Sequence, residues 1–242
     1  MTMLRSVRVR RRILPILLLL FILAGSTFFL LKSVLTTVPG ALVSLAERNP
    51  EAAGFVSRYR LLSRKSYDAG AVDLTADVAG GGVPHLLQWD DRWGCAPYGN
   101  SLLAVSGCGP TSLSMVALAL TGSDAPNPIA VADYSASQGW YCPGAGTSWE
   151  LMRAGAEHFG LDWEELPLSE SSMRQALNGG RLLILSMLPG DFTDSGHFIV
   201  VSGCSEEGFS VLDPNSSVRS RCWSYETLCG QIANIWAYSA KG

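Results

Sequence analysis

The longest apolar stretch of the chain comes first. From Ile13 to Leu31 nineteen residues pass without a charge and without a polar face. That is close to the ~20 residues needed to cross ~30 Å of hydrocarbon. Arg5, Arg8, Arg10, Arg11 and Arg12 precede the run and Lys32 alone follows it. Positive charge before the span keeps the N-terminus in the cytoplasm and exports the rest of the chain. An uncleaved signal anchor is the preferred reading, because the run continues past Ala24-Gly25-Ser26 through Leu31, beyond the ~7–15 residues of a secretory apolar region. Cleavage at Ala24–Ser26 is the other reading, and would make the protein secreted rather than a single-pass membrane protein.

After the anchor the pattern turns polar. Residues 32–82 read as a juxtamembrane spacer whose helix packs on the domain that follows or holds it off the membrane. Asn49 and Pro50 mark a helix start, and Phe55, Val56, Tyr59 and Leu62 fall near one face of a helix over Glu51–Leu62. Residues 69–82 are small and glycine-rich, ending in Gly80-Gly81-Gly82, a linker signature. A globular domain over 83–242 follows. A turn-rich aromatic segment, 85–100, leads into a buried helix over Leu113–Leu120 that stops at Gly122. Shorter helices are predicted over Asn127–Tyr134, from the capping box Thr147–Glu150 to Phe159, and over Ser169–Asn178. Strands then take over, at Leu182–Met187, His197–Ser202 and Gly208–Asp213. A helix over Ser224–Ile232 and a last strand over Ile235–Tyr238 complete the chain. Helices first and antiparallel strands afterwards give an α+β domain. The full order is a cytoplasmic basic tail (1–12), the anchor (13–31), the spacer (32–82) and the domain (83–242).

The net charge of −3 conceals an asymmetry. Residues 1–32 hold six of the 18 basic residues and none of the 21 acidic ones. The exported part is therefore acidic, which argues against nucleic acid as a partner. The sequence has six cysteines. An exported domain allows disulfides, and Cys204 and Cys222, at strand ends, are candidate neighbours. No CxxC pair, phosphate loop or dinucleotide fingerprint occurs, so neither a metal nor a cofactor is expected.

Three polar residues stand where apolar elements meet turns. Cys108 opens the buried helix between Gly107 and Gly109, small residues that let the backbone bend and a substrate approach closely. Unpaired N–H groups at a helix start favour thiolate over thiol, the condition for a cysteine nucleophile. His197 opens the second strand and Asp213 closes the third. A hairpin turning near Glu206 would set His197 about opposite Asp213. The carboxylate can then fix the imidazole, leaving its other nitrogen for the thiol. His158, in a predicted last helical turn, is read as structural. Trp89, Trp93, Trp140 and Trp149 are read as core or as the lining of a cleft.

Gln88-Trp89-Asp90, Arg92-Trp93-Gly94, Tyr98-Gly99, Gly107-Cys108-Gly109-Pro110-Thr111-Ser112, Gly196-His197-Phe198-Ile199-Val200 and Asp213-Pro214-Asn215 together resemble the peptidase C39-like family of papain-like cysteine proteases, over about residues 83–240. The resemblance implies a papain-like fold, with N-terminal helices packed on an antiparallel sheet, and a peptide or protein substrate. It makes Cys108 the nucleophile, His197 the acid and base, and Asp213 the orienting residue, with Asn215 as the alternative orienter. The family places a glutamine six residues before the nucleophile. Here that position is Leu102, and Gln88 is the candidate oxyanion donor beside the Cys108 N–H. Two other functions stay open: amide hydrolysis or transfer on cell-wall stem peptides, and a C39-like module that binds peptides without cutting them. The oligomeric state is not legible in the sequence.

Overall fold

The computed structural model describes residues 37–242. The basic tail and the anchor over 13–31 lie outside the described residues. Among the described residues, no helix is long and apolar enough to cross a membrane. Gly40–Gly242 form one compact unit.

Residues 40–62 pack as helix α1 (Gly40–Arg48), a single 3-10 turn (Pro50–Ala52) and helix α2 (Ala53–Leu62). Asn49 caps the turn, its Oδ1 accepting the Glu51 N–H at 3.1 Å. Leu42, Leu45, Ala52, Phe55 and Leu62 are buried. The spacer is thus part of the globular unit, because its apolar face has the rest of that unit to cover it. The glycine-rich stretch also carries structure. It contains a 3-10 turn at Ala69–Ala71 and a helical turn at Thr75–Val78, and Leu74 enters the core.

Helix α3 (Cys108–Thr121) is the central rod. Gly109 through Leu118 are buried, and Gly122 terminates it in the left-handed region at φ +66°. Gly107 and Gly109 serve protein packing rather than open space for a ligand. A Cβ on Gly107 would meet the Leu103 carbonyl oxygen at 2.4 Å, and one on Gly109 the Thr147 hydroxyl at 2.8 Å. Helix α4 (Pro128–Ser137) is capped by Asn127. The helix predicted from 147 to 159 is two pieces, a 3-10 turn (Trp149–Met152) and α5 (Ala154–His158), parted where Arg153 leaves helical geometry. Ser148, not Thr147, supplies the cap. Thr147 is engaged by the Tyr98 hydroxyl instead.

The sheet has six antiparallel strands: β1 (Leu161–Glu165), β2 (Leu182–Met187), β3 (His197–Ser205), β4 (Gly208–Leu212), β5 (Cys222–Trp223) and β6 (Ile232–Ala240). Their spatial order is β1-β6-β2-β3-β4-β5. Strand β1 has a polar, mostly exposed pattern, Asp162 and Glu164 among it, which hid it from the hydrophobic signal. Both faces of the sheet are covered, and alternate residues of β2 divide between two cores. Leu182 and Ile184 join Leu113, Val116 and Trp236, while Leu183, Leu185 and Met187 join Phe209, Met173 and Leu228. Met173 lies on helix α6 (Glu170–Asn178) and Leu228 on helix α7 (Tyr225–Cys229). This is an α+β domain.

All six cysteines are free thiols. Cys204 and Cys222 sit on β3 and β5, with β4 between them, so strand order separates the pair suggested by sequence spacing. His158 stacks on Tyr134, with ring centroids 3.7 Å apart.

Candidate active site

The site is built where α3 begins and β3 begins. Gly107 occupies the cap position and Cys108 the first helical residue, so the Cys108 N–H belongs to the orphan group at a helix start. The Ser112 hydroxyl of α3 bonds the Phe198 carbonyl at 3.3 Å, tying the helix to the opening of β3 beside His197.

His197 is 7% exposed and Asp213 0%. They meet through Nε2 and Oδ1 at 2.7 Å. The imidazole and the Cys108 thiol line the same cleft, and the sulfur helps to hold the ring's proton. With Nε2 taken by the carboxylate, Nδ1 is the ring nitrogen left for that thiol. The register differs from the simple hairpin reading. The turn is Glu206-Glu207, the β3–β4 pairing shifts between Val201 and Gly203, and Leu212 stands opposite Val200. Asp213 therefore lies beyond the last ladder pair, in a bridge to Ser216, and its side chain reaches back to His197 from the loop.

Asp213 serves three donors. Oδ1 takes His197 and the Asn215 N–H (2.7 Å), and Oδ2 takes Arg219 Nε at 2.6 Å. Asn215 thus contributes its backbone to Asp213, while Asn49 is the partner of its side-chain oxygen. Arg219 escaped the sequence reading, because an arginine in a polar loop carries no pattern that marks it. Burial is the strongest influence on His197 and disfavours its charge, but Asp213 and then Cys108 outweigh it together. The ring is pushed up to about 10. Burial also works against the Asp213 carboxylate, and His197 and Arg219 overcome it, holding the group below the usual carboxylate range.

These directions set a pH dependence. The folded chain holds the His197 proton more tightly than the unfolded chain, where the ring titrates near ~6.5. Its contribution to stability is complete below ~6.5 and is lost as pH rises toward about 10. The Asp213 contribution runs the other way, present at neutral pH and lost on acidification. The difference in urea midpoint between the wild type and His197→Ala is expected to shrink between pH 6.5 and 10. A constant difference would contradict the raised value.

Gln88 is 3% exposed and borders the same cleft as Cys108 and His197. Its Nε2 donates to the Ala104 carbonyl at 2.8 Å, leaving its second N–H, and Oε1 has no partner. Its backbone N–H bonds the Pro214 carbonyl at 2.7 Å, which joins the Gln88 segment to the Asp213 loop. His85 Nε2 lies 2.9 Å from the Asp213 carbonyl oxygen, and Trp89 Nε1 donates to the Asn215 carbonyl at 3.1 Å. The cleft holds about 300 Å³. One wall is the loop 190–196, braced where Gln231 bonds both the N–H and the carboxylate of Asp191. The lining also includes Leu45, Arg48 and Asn49. None of Trp89, Trp93, Trp140 and Trp149 lines it, and Trp93 is wholly in the core.

No curated protein matches the chain. Among solved structures, the peptidase domain of Streptococcus ComA, a bi-functional ABC transporter involved in quorum sensing, is similar at 19% identity and a TM-score of 0.46, covering 57% of this chain and 93% of that one. A protein described as a C39-like peptidase from Bacillus anthracis is similar at 12% identity and a TM-score of 0.45, covering 66% and 96%. The sequence profile of the Peptidase_C39 like family matches residues 81–242, about two thirds of the chain. This chain belongs to the Peptidase_C39 like family.

Proposed function

We propose that the protein is a cysteine peptidase acting through Cys108, His197 and Asp213. The observation that carries this reading is a thiol at a helix start that shares a cleft with an imidazole whose Nε2 is held by a buried carboxylate. Such a pair exists as thiolate and imidazolium at neutral pH. Cys108 Sγ attacks the carbonyl carbon of the scissile amide. Negative charge moves to the carbonyl oxygen, where the Cys108 N–H and the free N–H of Gln88 are the available donors. The tetrahedral adduct collapses, the C–N bond breaks, and the His197 proton passes to the leaving nitrogen. His197 then takes a proton from water. The hydroxide attacks the thioester, the C–S bond breaks, and the product acid leaves with thiolate and imidazolium restored. Asn215 has no place in this step other than through its N–H to Asp213.

The arginine-flanked run over 13–31 supports a single-pass anchor with the catalytic unit outside the cell, and the substrate is then an extracytoplasmic peptide or protein. The test is iodoacetamide labelling at pH 6 with peptide mapping. Cys108 is expected to react well ahead of the other five thiols, and of free cysteine with its pKa near ~8.5, and to lose that lead in His197→Ala. Equal labelling of all six in the folded protein would favour the binding-module reading.

A further inference from the structure

The family match begins at residue 81, yet the residues that hold the Asp213 loop include two far upstream of it. Asn49 Nδ2 donates to the carbonyl of Asn215, and at 3.4 Å to its side-chain oxygen. The Glu51 carboxylate accepts from the Ser216 hydroxyl through one oxygen and from the Ser217 N–H at 2.8 Å through the other. Each contact lies one step from an Asp213 oxygen. Asn215, gripped by Asn49, donates its N–H to Oδ1. Ser216, gripped by Glu51, accepts the Arg219 N–H at 3.1 Å, and Arg219 Nε binds Oδ2. The arm itself is fixed. Leu42, Leu45, Ala52 and Phe55 are buried, and Arg58 makes a two-pronged bond to Asp91 at 2.8 and 2.9 Å. The arm also reaches the cleft, where Leu45, Arg48 and Asn49 form part of the lining.

We propose that Asn49 and Glu51 are positioning residues of the active site. Resting on the peptidase reading, this makes the segment 40–52 a working part of the catalytic unit rather than a spacer. The physical reason is that Asp213 lies beyond the β3–β4 ladder, so strand pairing does not set its position. The loop after it must be held by something else. Backbone contacts from the Gln88 segment hold one side, and the arm holds the other. Loosening the arm lets the carboxylate drift from Nε2, and displacements of this kind cost reactivity far more than they cost fold.

The experiment is the rate of Cys108 alkylation by iodoacetamide against pH, from 4 to 10, in the full-length chain. Wild type, Glu51→Ala, Glu51→Gln and Asn49→Ala are compared, with Cys108→Ala as the blank and a thermal melt for each. Glu51→Ala is expected to lower the rate at pH 6 by about 10-fold or more and to move the profile toward that of a free thiol. Glu51→Gln, which keeps an acceptor for the Ser217 N–H, restores most of the loss. A folded Glu51→Ala with the wild-type profile overturns the proposal. Should Glu51→Ala fail to fold, a wild-type profile in a folded Asn49→Ala overturns it equally. A free-thiol profile in the wild type is a different failure: it removes the peptidase reading itself, and the arm's role with it.

Discussion

Cys108→Ala is expected to abolish peptide hydrolysis, with a rate loss on the order of 10⁴- to 10⁶-fold, while leaving the fold intact. Cys108 is half-buried, and its side chain only adds to the edge of the larger core, so truncation removes little packing. The chemistry has no substitute. The other five thiols stand elsewhere, at Cys95, Cys142, Cys204, Cys222 and Cys229, and none of them lines the cleft. Digestion of a casein substrate and of purified cell wall, each with wild type and variant, checks the result and separates protein from stem-peptide substrates. Equal turnover by Cys108→Ala and wild type would remove the nucleophile assignment.

Asp213→Ala is expected to damage both stability and activity. The carboxylate is fully buried and is the counter-ion of both the His197 ring and the Arg219 guanidinium. Removing one partner of a buried ion pair leaves an uncompensated charge, typically at a cost of about 3–5 kcal/mol. The ring escapes part of that cost by losing its proton. Burial is the largest influence on His197 and lowers its pKa, and without Asp213 only the smaller effect of Cys108 opposes it. A neutral ring cannot sustain a thiolate–imidazolium pair, and hydrolysis is expected to fall about 10⁴-fold at pH 7. Asp213→Asn separates the two effects. It keeps the volume and one acceptor oxygen but supplies no charge. It should recover part of the stability, read by urea unfolding at pH 7, and little of the activity. Near-wild-type turnover in Asp213→Asn would show that the carboxylate does not act by charge.

Much of the site was legible because its residues sit at element boundaries, where a polar residue against an apolar run is conspicuous. Cys108 at the start of α3, His197 at the head of β3 and Asp213 just past the end of β4 all stood out this way. The cap at Asn49 and the helix starts at Asn127, Ser169 and Ser224, each of which carries a cap, were legible for a similar reason, since capping is a local hydrogen bond within a few residues. Strand β1 was not, because its polar pattern carries no apolar period and it is defined by pairing with β6, some seventy residues later. The break at Arg153 was missed because the capping box is a local signal and the break is not.

Local order along the chain was thus determined by the sequence alone: the α+β succession, the buried helix, the strands β2, β3 and β4, and the three polar residues at their edges. These follow from hydrophobic period and cap chemistry, which act over a few residues. The tertiary structure alone decided the rest. It placed Asp213 past the ladder, set Arg219 on its second oxygen, gave Asn215 to Asn49, and kept Cys204 from Cys222 by inserting β4. It also folded residues 40–62 against the unit and brought Glu51 to a loop 165 positions away. Contacts of that span are chosen by which surfaces remain to be covered once the sheet is formed, and no window of neighbouring residues contains that information.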